Sequence, residues 1–238
     1  MKRLIFLLVI SLFLVKFTNA QKLPGFDADL GKKSIFGQEI RLPYTDVLSY
    51  FGYIKPGSTP NEERGGKKYY YLYLWIPTAV PEIGIRMVSP VPKDMKTEKL
   101  DYIMDEYTDN YANDKTGYFD TWISFERSSV FTNDSGFVEN VKSGSWTMFG
   151  QNDDTGELPA QPSGKKYNSL MRISSDASNP TKSLVKGLYR IGFTTYKTGE
   201  VKGSFIAQIG AVVKIPGTVI TKTLEGMKTI LAFGKTSK

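Results

Sequence analysis

Two residue types are missing from this 238-residue sequence, cysteine and histidine, and each absence excludes a class of chemistry. Without cysteine the chain can form no disulfide, no thiolate nucleophile and no zinc–thiolate site. Without histidine it has neither a Ser-His-Asp triad nor the commonest ligand of transition metals. An enzyme built from these residues would depend on carboxylates, lysine, tyrosine or serine, and a bound metal would be a hard cation held by oxygen atoms.

The first twenty residues have the pattern of a secretory signal peptide. Lys2 and Arg3 precede a twelve-residue apolar run, residues 4–15, and small residues then lead to Ala20. This run is shorter than the roughly 20 residues that a membrane-spanning helix needs. The sequence therefore predicts export, cleavage after Ala20, and a mature protein that is secreted, periplasmic or on the outer cell surface. An uncleaved membrane anchor is the alternative, because Lys16 interrupts the pattern.

Basic residues are concentrated toward the C-terminus. Residues 186–238 contain nine basic and two acidic residues, a net charge of +7, whereas residues 21–185 carry −3. This asymmetry predicts a basic face that attracts a polyanion or an acidic surface partner, with ordinary solubility as the alternative. The sequence contains no nucleic-acid recognition motif, so we do not expect a nucleic-acid partner.

Strand patterns occupy most of the chain. They occur in residues 69–76, 83–89, 119–127, 141–149, 187–196 and 200–213. The first is a short apolar and aromatic run, and the last two alternate between apolar and polar residues on either side of a short loop, which predicts a β-hairpin. Together they predict an all-β sandwich with a few helices on its loops, in a single domain over residues 21–238.

Two segments show the spacing of amphipathic helices instead. The first, residues 93–107, places its apolar residues on one face and has Asp94 as a candidate N-cap. The second follows Pro216, with the apolar residues Ile220, Leu224, Met227 and Leu231.

Five stretches occur in a recognisable order along the chain. They are YYLYLWIP (70–77), IGIRMVSP (83–90), FDTWISFER (119–127), KYNSLMRI (166–173) and LVKGLYRIGFTTYKTGEVKGSFIAQIG (184–210). This set resembles the major surface lipoprotein family of the spirochaete Leptospira, also called the haemolysis-associated surface protein family. The resemblance implies a jelly-roll β-sandwich of the outer membrane surface, without enzymatic activity, that binds calcium and adheres to extracellular-matrix proteins.

The resemblance also implies a calcium site. Family members take its ligands from an Asp-Thr pair, an aspartate pair in an acidic loop and a tyrosine, which correspond here to Asp120, Thr121, Asp153, Asp154 and Tyr167. The residue types alone leave the FGQNDDTG stretch (149–156) open between a site and a surface turn, because Asp, Asn and Gly are the usual turn formers.

Two features depart from the family pattern. The acidic loop is reduced to NDDTGE, and the lipidated cysteine of the family is missing. Without this cysteine no acyl chain can be added, so the sequence predicts a mature protein without a lipid anchor, either soluble or peripherally associated with the membrane.

Two other functions are consistent with the residues. A carbohydrate-binding module would use exposed aromatics such as Trp122, Trp146 and the tyrosines of residues 69–73, arranged as a planar strip. A carboxylate glycosidase would pair Asp120 with Asp153 or Glu157, with the carboxyl groups about 5.5 or 9 Å apart in a deep cleft.

We predict that the exported protein begins at Gln21. The positive residues, the apolar run and the small residues at Ala20 are the signals that a signal peptidase reads. N-terminal sequencing of protein recovered after export checks this prediction, and retention of Met1 in a membrane fraction would contradict it.

Overall fold

The computed structural model describes residues 26–130, 136–196 and 199–236, so the predicted signal peptide lies outside the described residues. Within these ranges the chain forms thirteen strands and three helices. The strands are β1 (Asp27–Ile35), β2 (Gln38–Pro43), β3 (Asp46–Ile54), β4 (Glu62–Arg64), β5 (Lys67–Ile76), β6 (Glu82–Val88), β7 (Tyr102–Ile103), β8 (Thr121–Ser128), β9 (Trp146–Asn152), β10 (Ser169–Ser174), β11 (Gly187–Thr195), β12 (Gly203–Ala211) and β13 (Val219–Thr221). The helices are α1 (Asp105–Asn110), α2 (Phe137–Ser143) and α3 (Leu224–Thr236).

The strands form a sandwich of two sheets and a separate hairpin. One sheet has the order β10-β6-β12-β3-β7, the other has the order β13-β5-β11-β8-β9 with β4 added beside β5, and β1 pairs with β2. Without the short strands at the edges, the two sheets contain four strands each, in the orders β3-β12-β6-β10 and β5-β11-β8-β9. This is the strand arrangement of a jelly roll, so the predicted all-β, jelly-roll sandwich is confirmed.

An aromatic and aliphatic core fills the space between the two sheets. Phe193 of β11 and Phe205 of β12 belong to opposite sheets, and their ring centroids lie 4.8 Å apart. Phe119, just before β8, packs against both rings. The two sheets therefore share one core and form one folding unit.

Strand β5 is buried on both of its faces. Its even-numbered residues join the core between the sheets: Tyr70, Leu72, Leu74 and Ile76. Its odd-numbered residues join a second cluster on the outer face of the sheet: Tyr69, Tyr71, Tyr73 and Trp75. Residues of α2 and α3 cover this second cluster, including Phe137 and Met227, which are fully buried. Burial on both faces explains why the sequence of β5 is continuously apolar rather than alternating.

The predicted hairpin of residues 187–196 and 200–213 is wrong. Both segments are strands, but β11 pairs with β5 and β8, whereas β12 pairs with β3 and β6 in the opposite sheet. Each strand therefore has both of its hydrogen-bonding edges occupied by strands that are distant in sequence. Alternation identified the strands correctly but carries no information about their partners, and the short connection crosses from one sheet to the other.

The predicted helix over residues 93–107 is also wrong in extent. The only helical part of this segment is the start of α1, and Asp94 caps no helix, since the residue at the N-cap position is Met104. Leu100 is 86% exposed, and β7 pairs in parallel with β3. Met104 and Tyr107 bury their side chains in the core, and a single helical turn is enough to place both there, while Met95 and Tyr102 pack against the core only in part.

The C-terminal helix is confirmed in part. It begins at Leu224, and Met227 packs against the outer face of the sheet as the spacing predicts. Ile220 lies in β13, which pairs with the edge of β5, rather than in the helix.

We predict that Gly203→Ala destabilises the protein far more than Gly164→Ala. Both glycines have positive φ angles, +94° and +78°, which cost a non-glycine residue about 1–2 kcal/mol. A Cβ atom at Gly203 would lie 2.0 Å from the carbonyl oxygen of Gly117, whereas one at Gly164 would have no neighbour within 4 Å. Chemical denaturation should give a loss of about 3 kcal/mol or more for Gly203→Ala and about 1 kcal/mol for Gly164→Ala. Equal losses would contradict the proposed crowding where the chain enters β12.

Candidate functional site

Three segments that are distant in sequence meet at one end of the sandwich. Strands β8 and β9 are antiparallel neighbours, with Ile123 opposite Asn152, so the start of β8 lies beside the loop that follows β9. The segment that leads into β10 joins them, because the backbone N–H of Thr121 donates to the carbonyl of Tyr167 (3.0 Å). Antiparallel pairing therefore brings together the residues that the resemblance selected: Asp120, Thr121, Asp153, Asp154 and Tyr167. We call these five residues the acidic site.

A buried serine that the sequence analysis missed holds the acidic site together. The hydroxyl of Ser169, at the start of β10, lies 2.7 Å from the hydroxyl of Thr121. It also lies within hydrogen-bond distance of two carbonyl oxygens, those of Thr121 (2.6 Å) and Asp153 (2.5 Å). Because β8 and β10 belong to opposite sheets, Ser169 joins the sheets at the site. Its only signal in the sequence is its place in the KYNS run.

The three carboxylates of the site repel one another. Burial, and then the charges of Asp154 and Asp153, raise the pKa of Asp120 to about 6, and Lys67 opposes this shift only in part. Burial and the charge of Asp153 also raise the pKa of Asp154. In the described part of the chain, Oδ1 of Asp120 is buried without a hydrogen-bond partner. A cation bound at the acidic site would offset the repulsion among these carboxylates, so the electrostatics of the site favour cation binding.

The local turn explains how two adjacent aspartates can share one site. Neighbouring residues in a strand point to opposite faces, but Asp153 and Asp154 come directly after β9. The carboxylate of Asp153 accepts a hydrogen bond from the backbone N–H of Asp154 (2.8 Å), which holds its side chain over the turn. The FGQNDDTG stretch therefore consists of the last four residues of β9 and four residues of the irregular loop that follows it.

The oxygen atoms of the acidic site suit a hard cation chemically, but they do not converge on one point in the structure. All the side-chain donors are oxygen atoms, which suits Ca²⁺. Among residues 26–130, 136–196 and 199–236, no group of three acidic side chains has the geometry of a formed metal site. The hydroxyl of Thr121 and the carbonyl of Tyr167 lie 3.2 Å apart and already bond to each other. A cation would have to draw the aspartates of the loop toward Asp120.

Glu157 does not have the properties of a glycosidase acid. Hydrogen bonds and charge from Arg172, together with Arg41, hold its pKa below the usual range. Its carboxylate lies 2.8 Å from Arg172 and 2.7 Å from Arg41. A general acid needs a raised pKa, so these ion pairs give Glu157 a structural role at the start of the loop before β10.

The aromatic residues proposed for carbohydrate binding do not form an exposed strip in the described chain. The tyrosines of β5 are buried, and Trp122 packs edge-on against Tyr69. The guanidinium of Arg190 lies over the ring of Trp146, 4.2 Å from its centroid. These rings serve the packing of the sheet against its covering helices.

Several cations in the basic C-terminal segment lie beside carboxylates. Lys222 pairs with Glu106 (2.5 Å), and Lys202 lies 3.6 Å from Glu200. The positive charge counted in the sequence is thus reduced locally, and attraction of an acidic partner stays a prediction.

The sequence of this chain matches one protein-family model, that of a surface lipoprotein of the Spirochaetales order, over residues 38–220. The chain belongs to this family. The match runs from the first residue of β2 into β13, so it includes both sheets and every residue of the acidic site. The comparison with curated proteins found no match. Membership in this surface lipoprotein family confirms the resemblance and indicates an exported, cell-surface protein.

None of the helices in the described part of this family member is both long and apolar enough to cross a membrane.

We predict that Asp120→Asn stabilises this surface lipoprotein family member when calcium is removed. The substitution keeps the size of the side chain but removes a charge that burial, and then the charges of Asp154 and Asp153, disfavour in the folded state. After allowance for solvent screening the gain should be about 1 kcal/mol, or about 2–4 °C in Tm, at pH 8 with a chelator. Asp114→Asn is the control, because hydrogen bonds from Tyr53 and Gly117 lower the pKa of Asp114, and its neutralisation should lower Tm. A fall in Tm for Asp120→Asn would refute the proposed repulsion.

Proposed function

We propose that this protein is a non-enzymatic, adhesin-like binding protein of the cell surface whose acidic site is stabilised by Ca²⁺. The observation that carries the proposal is a buried carboxylate oxygen of Asp120 that has no partner among the described residues, in a group whose pKa is raised by burial and then by the charges of Asp154 and Asp153. Membership in a surface lipoprotein family supports the location and the absence of catalysis.

The charges of the acidic site suit a divalent cation. Asp120, Asp153 and Asp154 would supply carboxylate oxygens, and Thr121 and Tyr167 would supply neutral oxygens from a hydroxyl and a carbonyl. Calcium accepts six to eight oxygen ligands of these mixed types, with water completing the set. A bound cation would supply positive charge that offsets three crowded negative charges, and the loop after β9 would become more rigid.

A role in binding rather than catalysis agrees with the rest of the site. Asp153 is half-buried and Asp154 is exposed in the loop after β9, and Glu157 forms ion pairs with two arginines. We infer that the calcium-stabilised loops form a recognition surface for an extracellular-matrix protein or another acidic surface partner. The basic C-terminal segment would add attraction for such a partner.

We predict that millimolar Ca²⁺ raises the Tm of the exported protein and that Asp153→Ala combined with Asp154→Ala abolishes the rise. At ten times its Kd, a ligand that binds only the folded state adds about 1.4 kcal/mol, or about 3–6 °C for a chain of this size. The double variant leaves Asp120 without loop carboxylates, so the calcium effect should disappear while the calcium-free fold is retained. Differential scanning calorimetry with and without a chelator measures both.

The matched control combines Asp94→Ala with Asp109→Ala. These two aspartates are exposed and lie outside the acidic site, so this variant should keep the full calcium shift. If the wild-type protein shows no shift, residues 149–156 form only a turn. If the loop variant keeps the shift, calcium binds elsewhere.

A further inference from the structure

The hairpin of β1 and β2, residues 27–43, is held to the sandwich at its base and exposed along its length. We call it the arm. The buried carboxylate of Glu82 accepts hydrogen bonds from the backbone N–H groups of Asp29 (3.0 Å) and Leu30 (2.7 Å) and from the hydroxyl of Tyr44 (2.8 Å). Beyond this base, the last six residues of β1 are all exposed. The arm is therefore anchored firmly at one end and meets solvent at the other.

The arm is amphipathic, with one apolar face that the described chain does not cover. In the pairing of β1 with β2, Ile35 lies opposite Gln38 and Lys33 lies opposite Ile40. Paired residues and residues two apart share a face, so Ile35, Ile40 and Leu42 lie on the same side, together with Lys33 and Gln38. The three apolar side chains are exposed. Such a face is normally buried against a partner.

The polar face of the arm is satisfied within the protein. Arg41 lies on it and pairs with Asp29 (3.0 Å), Glu39 (2.6 Å) and Glu157 (2.7 Å). The two faces thus differ sharply, because the polar face has its ionic partners while the apolar face is open to solvent.

An aromatic side chain projects from the tip of the arm. Phe36 and Gly37 form a two-residue turn in which both φ angles are positive, 50° and 77°. Asn or Gly would adopt this conformation with less strain than Phe. The side chain of Phe36 is 102% exposed, so it gains nothing from packing in the free protein. A strained and fully exposed aromatic residue indicates that its partner lies outside the chain.

We propose that the arm docks onto an anionic lipid surface, with its apolar face and Phe36 in the interfacial layer. Lys32 lies 3.6 Å from Glu39 on the polar face, whereas Lys33 lies opposite Ile40 among the apolar side chains. The face that would meet the lipid therefore carries one positive charge and no negative one. Aromatic and aliphatic residues beside a lysine match the interface between acyl chains and anionic headgroups. A single projecting ring can enter a soft lipid surface without a preformed pocket. This inference does not depend on the calcium site.

Co-sedimentation with vesicles tests the proposal on the processed protein recovered after export. With phosphatidylethanolamine–phosphatidylglycerol vesicles at a 3:1 ratio, the protein should pellet with the lipid, and binding should weaken as salt is raised. Vesicles of phosphatidylcholine alone should retain less protein. Phe36→Ser should lower the partition coefficient about tenfold or more. Leu100→Ser, the matched control, removes another highly exposed apolar side chain outside the arm and should leave binding unchanged.

The depth to which the tip of the arm enters the lipid gives a second measurement. Phe36→Trp adds a fluorophore at the tip, and lipids brominated near the headgroup should quench it more strongly than a fluorophore introduced by Leu100→Trp. Because both side chains are exposed, neither substitution should disturb folding.

Three outcomes would overturn the proposal. The first is absence of binding to anionic vesicles, and the second is equal loss of binding in Phe36→Ser and Leu100→Ser. The third is concentration-dependent self-association in sedimentation equilibrium that Phe36→Ser abolishes, in protein that does not bind vesicles. That result would assign the apolar face to a second copy of the chain.

Discussion

The sheet that contains β5 and β11 has to be covered on both faces, and much of the architecture follows from this constraint. All nine residues of β11 are buried, and β5 sends alternate side chains into two different clusters. The opposite sheet covers the inner face, which leaves the outer face to α2 and α3. Polar groups on that outer face must then find partners under the helices. Arg190 does so by lying over the rings of Tyr71 and Trp146 while it pairs with the buried carboxylate of Glu126.

The same architecture explains where a functional site can form. In a jelly roll, most consecutive strands alternate between the two sheets, so connections gather at the two ends of the sandwich. Asp120 and Asp153 are far apart in sequence, yet the pairing of β8 with β9 brings their segments together. Ser169 comes from the other sheet and bonds to both segments. The acidic site is thus built by rigid strands, while only its aspartate pair lies in a loop.

Local pattern was sufficient to identify strands but not to pair them. The continuous apolar run of β5 and the alternation of β11 and β12 were correct indications of strands, since they depend on burial of the two faces of each strand. Pairing depends on the rest of the chain, and for this reason β11 and β12 were wrongly joined as a hairpin. In residues 93–107 the type of element was predicted wrongly. Apolar spacing that suits a helix also occurs in a loop that buries two side chains, those of Met104 and Tyr107. The acidic site could be selected only through resemblance to a family, and Ser169, an ordinary serine in sequence, could not be selected at all.

The attachment of the arm has a mechanical consequence. Glu82 belongs to β6, which lies between β10 and β12 inside its sheet, and its carboxylate holds the backbone of the arm directly. A force applied at the tip would therefore reach a fully hydrogen-bonded interior strand rather than a flexible linker. For a protein at the cell surface, where fluid shear and moving partners exert lateral load, such a connection makes the arm and the sandwich move together as one rigid body. Neutralising or shortening the side chain of Glu82 would remove these hydrogen bonds and let the arm bend relative to the sandwich.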